Sequence, residues 1–292
     1  MEFAEDVRRE RSLECLQRLR ETQDVDERLK LFEQVIRDAD PDIRRRALGL
    51  GSAVLSDERL VAFLRDEADD VKRNAGLEML KLRRRRAIRL AAALLEDGDP
   101  DVVVQAVLVL SHVRDLRAVD LLLSVLDHPD VHVVQEAVVG LGKLAHVRAL
   151  PRLVALLTRE TWIQLAAVEA LGRLRSTRAV PALEPLLVDP MASMFVIEAL
   201  GRIGGLASYR ALVRHWLRAA GDDLSKELDK SDLEPILRAL GMVLDGLTAA
   251  PPVVPALIER IEALVRSEDK GIRLSAVRCL EILRQHSRTL MF

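Results

Sequence analysis

Side chains able to do chemistry are few in this sequence, and they are scattered. Six histidines and two cysteines are spread over 292 residues. A metal site needs ligands gathered on one helical turn or loop. His128 and His132 are four apart, but Pro129-Asp130 lies between them, and no second pair has ligand spacing. Cys15 and Cys279 sit on apolar helical stretches near opposite ends of the chain, which reads as two buried free thiols rather than a disulfide framework. No Gly-x-Gly-x-x-Gly, phosphate-binding loop or Gly-x-Ser-x-Gly occurs. The sequence therefore predicts no catalytic residue, no cofactor and no metal, and the chain reads as a protein that is not an enzyme.

Charge offers one further chemistry. Lys81-Leu-Arg-Arg-Arg-Arg86, followed by Arg89, is the densest basic run. Arg83, Arg84, Arg85, Arg86 and Arg89, with Arg44, Arg45, Arg46, Lys72 and Arg73 nearby, form a candidate patch for an acidic protein or a phosphate backbone. Asp57, Glu58, Asp66, Glu67, Asp69 and Asp70 compete as internal partners. The net charge is only −2, so nothing global points to nucleic acid or an anionic membrane. Arg86, Arg117, Arg148 and Arg178 recur at equivalent positions, where an arginine can bond helix-end carbonyls and turn carboxylates. The row Lys81, His112, Lys143, Arg173 and Arg202 suits helix C-termini.

That recurrence is the key to the elements. Asp-Pro-Asp-Ile43, Asp-Asp-Val71 and Asp-Pro-Asp-Val102 each open a helix, because the aspartate offers a carboxylate to the free amides of a first turn. Taking the first apolar residue after that turn as an anchor gives Ile43, Val71, Val102, Val133, Ile163, Ala192, Asp232 and Ile272, at intervals of 28, 31, 31, 30, 29, 40 and 40 residues. Four residues on lie Ala47, Ala75, Ala106, Ala137, Ala167, Val196, Ile236 and Ala276; eight on lie Gly51, Met79, Leu110, Leu141, Leu171, Leu200, Leu240 and Leu280. Eleven on lie Val54, Leu82, Val113, Leu144, Leu174, Ile203, Val243 and Leu283. Spacings of four, four and three mark one stripe of a helix. A second helix precedes each stripe, clearest over 117–126, 148–157 and 178–187, with Pro151 and Pro181 in first turns where a missing amide hydrogen costs nothing. One such hairpin cannot bury its apolar face alone, so the units must stack.

The pattern Asp-Pro-Asp-Val, then Ala-Val-x-x-Leu-Gly-Lys-Leu144, then Arg148-Ala-Leu-Pro151, resembles the short HEAT-like repeats associated with phycobilisome lyases. The resemblance covers residues 28–205 well and 232–285 more loosely. It implies an all-α α-solenoid of about eight helical hairpins: a single array over 1–292, with a capping helix in 1–27, short-period repeats over 28–205 and longer ones over 206–292. The added length lies in 221–230 and 247–252. HEAT-like deoxyhypusine hydroxylases carry repeated His-Glu pairs for iron, and this chain has no His-Glu dipeptide. HEAT-like DNA glycosylases use aromatic and acidic residues on a basic surface; here Trp162 is followed one turn later by Ala166. The bilin lyases would need a Cys or His constellation that is not visible.

Stacked hairpins of this kind line a concave side with their second helices. Residues 1–100 carry 21 basic and 23 acidic side chains, against 9 and 11 over 101–200, so the middle has lost charge of both signs. Residues one, two and six after the anchors are charged or small in the outer repeats and apolar in the middle. Val103, Val104, Leu108, Val134, Val139, Leu165 and Met194 are thus expected to form a concave apolar strip for a partner helix or peptide. The expected function is a cytoplasmic, bacterial interaction scaffold or adaptor whose partner is another protein. A nucleic-acid-binding module using the Arg-rich N-terminal half and a lyase-like enzyme accessory are the alternatives. No apolar run is long enough to span a membrane, and no signal-like segment opens the chain.

Overall fold

The computed structural model describes residues 2–65, 70–83, 85–220, 230–248, 251–252 and 255–289. All regular structure among them is helical. The order is α1 (Glu2–Glu21), α2 (Val25–Val35), α3 (Pro41–Val54), α4 (Asp57–Leu64), α5 (Asp70–Leu82), α6 (Arg85–Leu94), α7 (Pro100–Leu110), α8 (Leu116–Ser124) and α9 (Val131–Leu144). It continues with α10 (Leu150–Ala155), α11 (Thr161–Leu174), α12 (Val180–Leu183), α13 (Ser193–Ile203), α14 (Gly205–Ala220), α15 (Lys230–Asp245), α16 (Pro255–Leu264) and α17 (Lys270–Thr289). Among the described residues this is one leading helix followed by eight hairpins, from α2/α3 to α16/α17. Each predicted anchor falls in a second helix or, for Ala192, caps one.

The anchor stripe is core at its centre. Ala47, Ala75, Ala106, Ala137, Ala167, Val196, Ile236 and Ala276 are all buried, and so are the residues four further on, from Gly51 to Leu280. Its ends are looser. Val71 and Leu82, at the two ends of α5, are exposed rather than buried. Val113 is half-buried, since α7 has already ended at Leu110.

The helix starts follow the turn chemistry. Asp40, Asp99, Asp130 and Asp269 each accept a bond from the amide two residues on (2.8–2.9 Å). The amide of the capping residue is itself taken by a side chain two residues earlier: Asp38 (2.8 Å), Asp97 (3.1 Å), His128 (3.0 Å) or Ser267 (3.2 Å). His128 is therefore a turn residue, accepting through Nδ1. The first helices of hairpins five and six are shorter than expected, with 3₁₀ turns at Leu156–Thr158 and Glu184–Val188. For the second of these the cause is Pro185, which cannot donate to the carbonyl of Pro181 and clashes with it. Segment 221–229 and residues 249–250, where added length was expected, lie outside the described residues; part of that length is seen as the longer α14.

By internal contacts the chain divides into two compact units, 1–140 and 141–292, with the boundary inside α9. In the first, Phe32 and Phe63 stack at 5.8 Å, and a Cβ on Gly51 would meet Met79 Sδ at 2.5 Å and Phe32 at 2.7 Å. Ser111 and Gly140 meet at 3.1 Å, measured from an ideal Cβ on the glycine. In the second unit, Trp216, Tyr209 and Cys279 are buried. Tyr209 donates to the carbonyl of Pro252 (3.2 Å), and burial raises its pKa. Burial likewise pushes the Cys279 thiol up to about 12, and its Sγ donates to Leu237 (3.3 Å). A ladder of small residues joins the second helices here. Gly142 lies against Ala170, Gly172 against Ala199 and Gly201 against Ala239, with ideal Cβ positions only 2.9, 2.9 and 3.2 Å from the facing Cα atoms.

Three successive second helices end twelve residues after the anchor in a left-handed residue: Ala145 (φ 50°), Arg175 (φ 53°) and Gly204 (φ 70°). Only glycine is free of a Cβ penalty there. Arg175→Gly should therefore stabilise the protein by about 0.5–1 kcal/mol, read as a higher urea midpoint at unchanged m-value.

Candidate functional site

Within a hairpin, the residue after the anchor points at the hairpin's own turn. Arg44 donates to the carbonyls of Asp38 (2.6 Å) and Ala39 (2.8 Å), and Arg273 to Ser267 (2.7 Å) and Glu268 (3.3 Å). Gln164 donates to Leu157 at 2.8 Å. Val103 and Val134 occupy the same position and are 0% and 1% exposed. They are core residues closing the turn, and the expectation that they lie on an open strip is corrected. In the same unit Val104, Leu108 and Val139 are half-buried.

In the second unit the exposed positions become apolar. Trp162 opens α11 and is 72% exposed; Leu165, three residues on, is half-buried. On α13 and the turn before it, Met191 and Phe195 are exposed, and Met194 is 55% exposed. The Gly172–Ala199 contact fixes the register of α11 against α13. These five side chains accordingly share the exposed face at the N-terminal ends of two neighbouring helices.

Ion pairs border that face toward the helix C-termini. Arg173 bonds Glu169 (2.7 Å), Arg202 bonds Glu198 (2.7 Å), and Arg202 also approaches Glu169 (4.0 Å). Two residues before Trp162, Glu160 is held below its ordinary pKa by its own backbone amide and then by Arg159, so it stays ionised beside the apolar face. The arrangement is a shelf of adaptable methionines and two aromatic rings edged by fixed charges. It offers area and shape to an apolar anchor. Sequence reasoning placed Leu165 and Met194 here but missed Trp162, Met191 and Phe195. The available signal was the residue just before the anchor, which is Asp42, Asp101 or His132 in other hairpins and Trp162 or Met191 here.

The candidate basic patch resolves differently. Arg83 is a clamp: its guanidinium bonds the carbonyls of Ser52 (3.0 Å) and Leu55 and the carboxylate of Asp57, and its side chain is 8% exposed. It ties the end of α3 to the start of α4 and is not available to an anionic partner, which corrects that expectation. Arg86 and Arg89 are exposed on α6. Arg84 and the side chain of Arg85 lie outside the described residues. Arg117 pairs with its turn carboxylate Asp115 (2.9 Å). Among the described residues no three His, Cys, Asp or Glu side chains gather as a metal site would require, and no helix is long and apolar enough to cross a membrane.

The family model for HEAT repeats matches residues 56–139, 88–163 and 135–191. No curated protein matches the chain by sequence. Among solved structures, Kap121p superposes with a TM-score of 0.57 at 14% identity, over 90% of this chain and 34% of that one. An engineered protein gives 0.48 at 21% identity, over 89% and 79% of the two chains. The complex of CpcE and CpcF of phycocyanin lyase from Nostoc sp. gives 0.45 at 20%, over 79% and 94%. The chain spans about a third of the length of Kap121p, and the likeness is one of fold. With eight hairpins in one register, this is an all-α solenoid of HEAT-like repeats.

Two variants separate the clamp from the surface. Arg83→Ala leaves a carboxylate and two carbonyls without their donor and should cost about 2 kcal/mol or more. The double variant Arg86→Ala, Arg89→Ala should stay within about 0.5 kcal/mol of the parent, with urea unfolding checking both.

Proposed function

We propose that this chain is a non-enzymatic protein-interaction scaffold whose second unit seats an apolar helix or peptide of a partner protein. The observation that carries the reading is the cluster of Trp162, Met191, Met194 and Phe195, all exposed on one face of α11 and α13. Exposed tryptophan is costly to keep in water, and contiguous apolar surface rimmed by charge marks interaction sites. Trp is also the residue most enriched among energetic anchors of interfaces. The ion-paired rim of Glu169, Arg173, Glu198 and Arg202 would add orientation more than affinity. A partner helix presenting two or three apolar residues at i, i+3 or i+4 spacing fits such a shelf.

Capture from extracts of the native cell, comparing the parent with Trp162→Ala and with Met194→Glu, tests this. Both variants should unfold within about 0.5 kcal/mol of the parent, because the side chains are exposed. Loss of the Trp162 anchor should weaken partner binding by about 2 kcal/mol or more, roughly thirtyfold. An unchanged set of captured proteins at unchanged affinity would remove the shelf as the binding site.

A further inference from the structure

We propose that the groove between α1 and α3 is a second docking site, for an acidic segment of another protein that inserts one apolar side chain. The starting observation is Gly49. A glycine inside a helix weakens it, and a fold usually keeps one there because a neighbour leaves no room for a Cβ. Gly51 is such a case, pressed by Met79 and Phe32. Gly49 is not: a Cβ there would meet nothing within 4 Å. It stands six residues after the anchor, where the following hairpins of the same unit carry Leu77, Leu108 and Val139.

The missing side chain opens a groove of about 620 Å³, floored by Leu13, Leu16 and Leu50. Leu13 is exposed. On its rim stand Arg20 and Arg46, both exposed and, among the described residues, without a hydrogen bond or ion pair. Nearby cations are committed, Arg45 to Asp42 and Arg18 to Glu27. The rim carboxylate, Glu21, accepts from Gln17 (3.0 Å). Two unpaired guanidiniums beside an apolar floor complement a segment with carboxylates flanking a leucine-sized residue. This site is independent of the Trp162 shelf and does not rest on it.

The test uses the full chain with labelled leucine methyl groups and a short capped peptide of one leucine between glutamates. The expected result is a shift of the Leu13, Leu16 and Leu50 methyl signals that Gly49→Leu abolishes. Arg20→Gln and Arg46→Gln should each weaken binding by about two- to fivefold. The same peptide with lysines in place of glutamates should give no shift. Gly49→Ala, scored separately by melting temperature, should stabilise the protein while weakening the peptide. The proposal is overturned if these methyl signals do not move, if the lysine peptide moves them equally, if the arginine variants bind as the parent does, or if Gly49→Ala lowers the melting temperature.

Discussion

In the second unit, the closeness of neighbouring second helices determines nearly everything else. Gly142, Gly172 and Gly201 stand nine residues after their anchors and face Ala170, Ala199 and Ala239, seven after the next ones. With no side chain on one partner and a methyl on the other, the backbones come close enough for dispersion contacts along the interface. That contact sets the axial register. The register then decides which side chains enter the stripe, which meet the hairpin turn and which remain on the outer face.

Electrostatics acts around this packing in a supporting role. Aspartates cap the second helices, and a second polar side chain caps each capping residue, so the turn between helices carries few unpaired amides. Longer pairs tie hairpins together. Arg65 reaches Asp97 at 2.6 Å, and Arg214 grips Glu184 with two bonds of 2.8 Å. The Asp97 carboxyl is held below its ordinary range by the Asp99 amide and by Arg65, and Glu184 by Arg214. Depressed carboxylates stabilise the folded state above the ordinary carboxylate range, and that contribution fades as pH falls through their lowered values.

Much of the architecture was legible in residue spacing. The anchors, the alanine four on and the apolar residue eight on predicted every second helix, because a packed face leaves a strict periodicity. The surface was less legible. Val103 and Val134 look like strip residues by register, yet that position faces the turn, where Arg44, Gln164 and Arg273 bond carbonyls and a valine fills the same space. Arg83 looks like part of a basic run, but three acceptors converge on it from another hairpin, a fact local sequence does not contain. Trp162 escaped because one aromatic in one repeat makes no period. The small-residue ladder was also overlooked, although Leu-Gly recurs at 141–142, 171–172, 200–201 and 240–241.

Glycine-to-alanine substitution along the ladder, followed by urea unfolding, is the most direct measurement of its role. The clearances to the facing residue are 2.9 Å at Gly142 and Gly172, 3.2 Å at Gly201 and 3.8 Å at Gly241, where the neighbour is Cys279. A forced methyl costs about 1–3 kcal/mol where backbone blocks it, whereas alanine in an open helix position gains up to about 1 kcal/mol. Gly142→Ala and Gly172→Ala should therefore destabilise most, Gly201→Ala less, and Gly241→Ala should be neutral or stabilising. Equal effects at all four positions, or stabilisation at Gly172, would contradict the claim that close approach of the second helices sets the register.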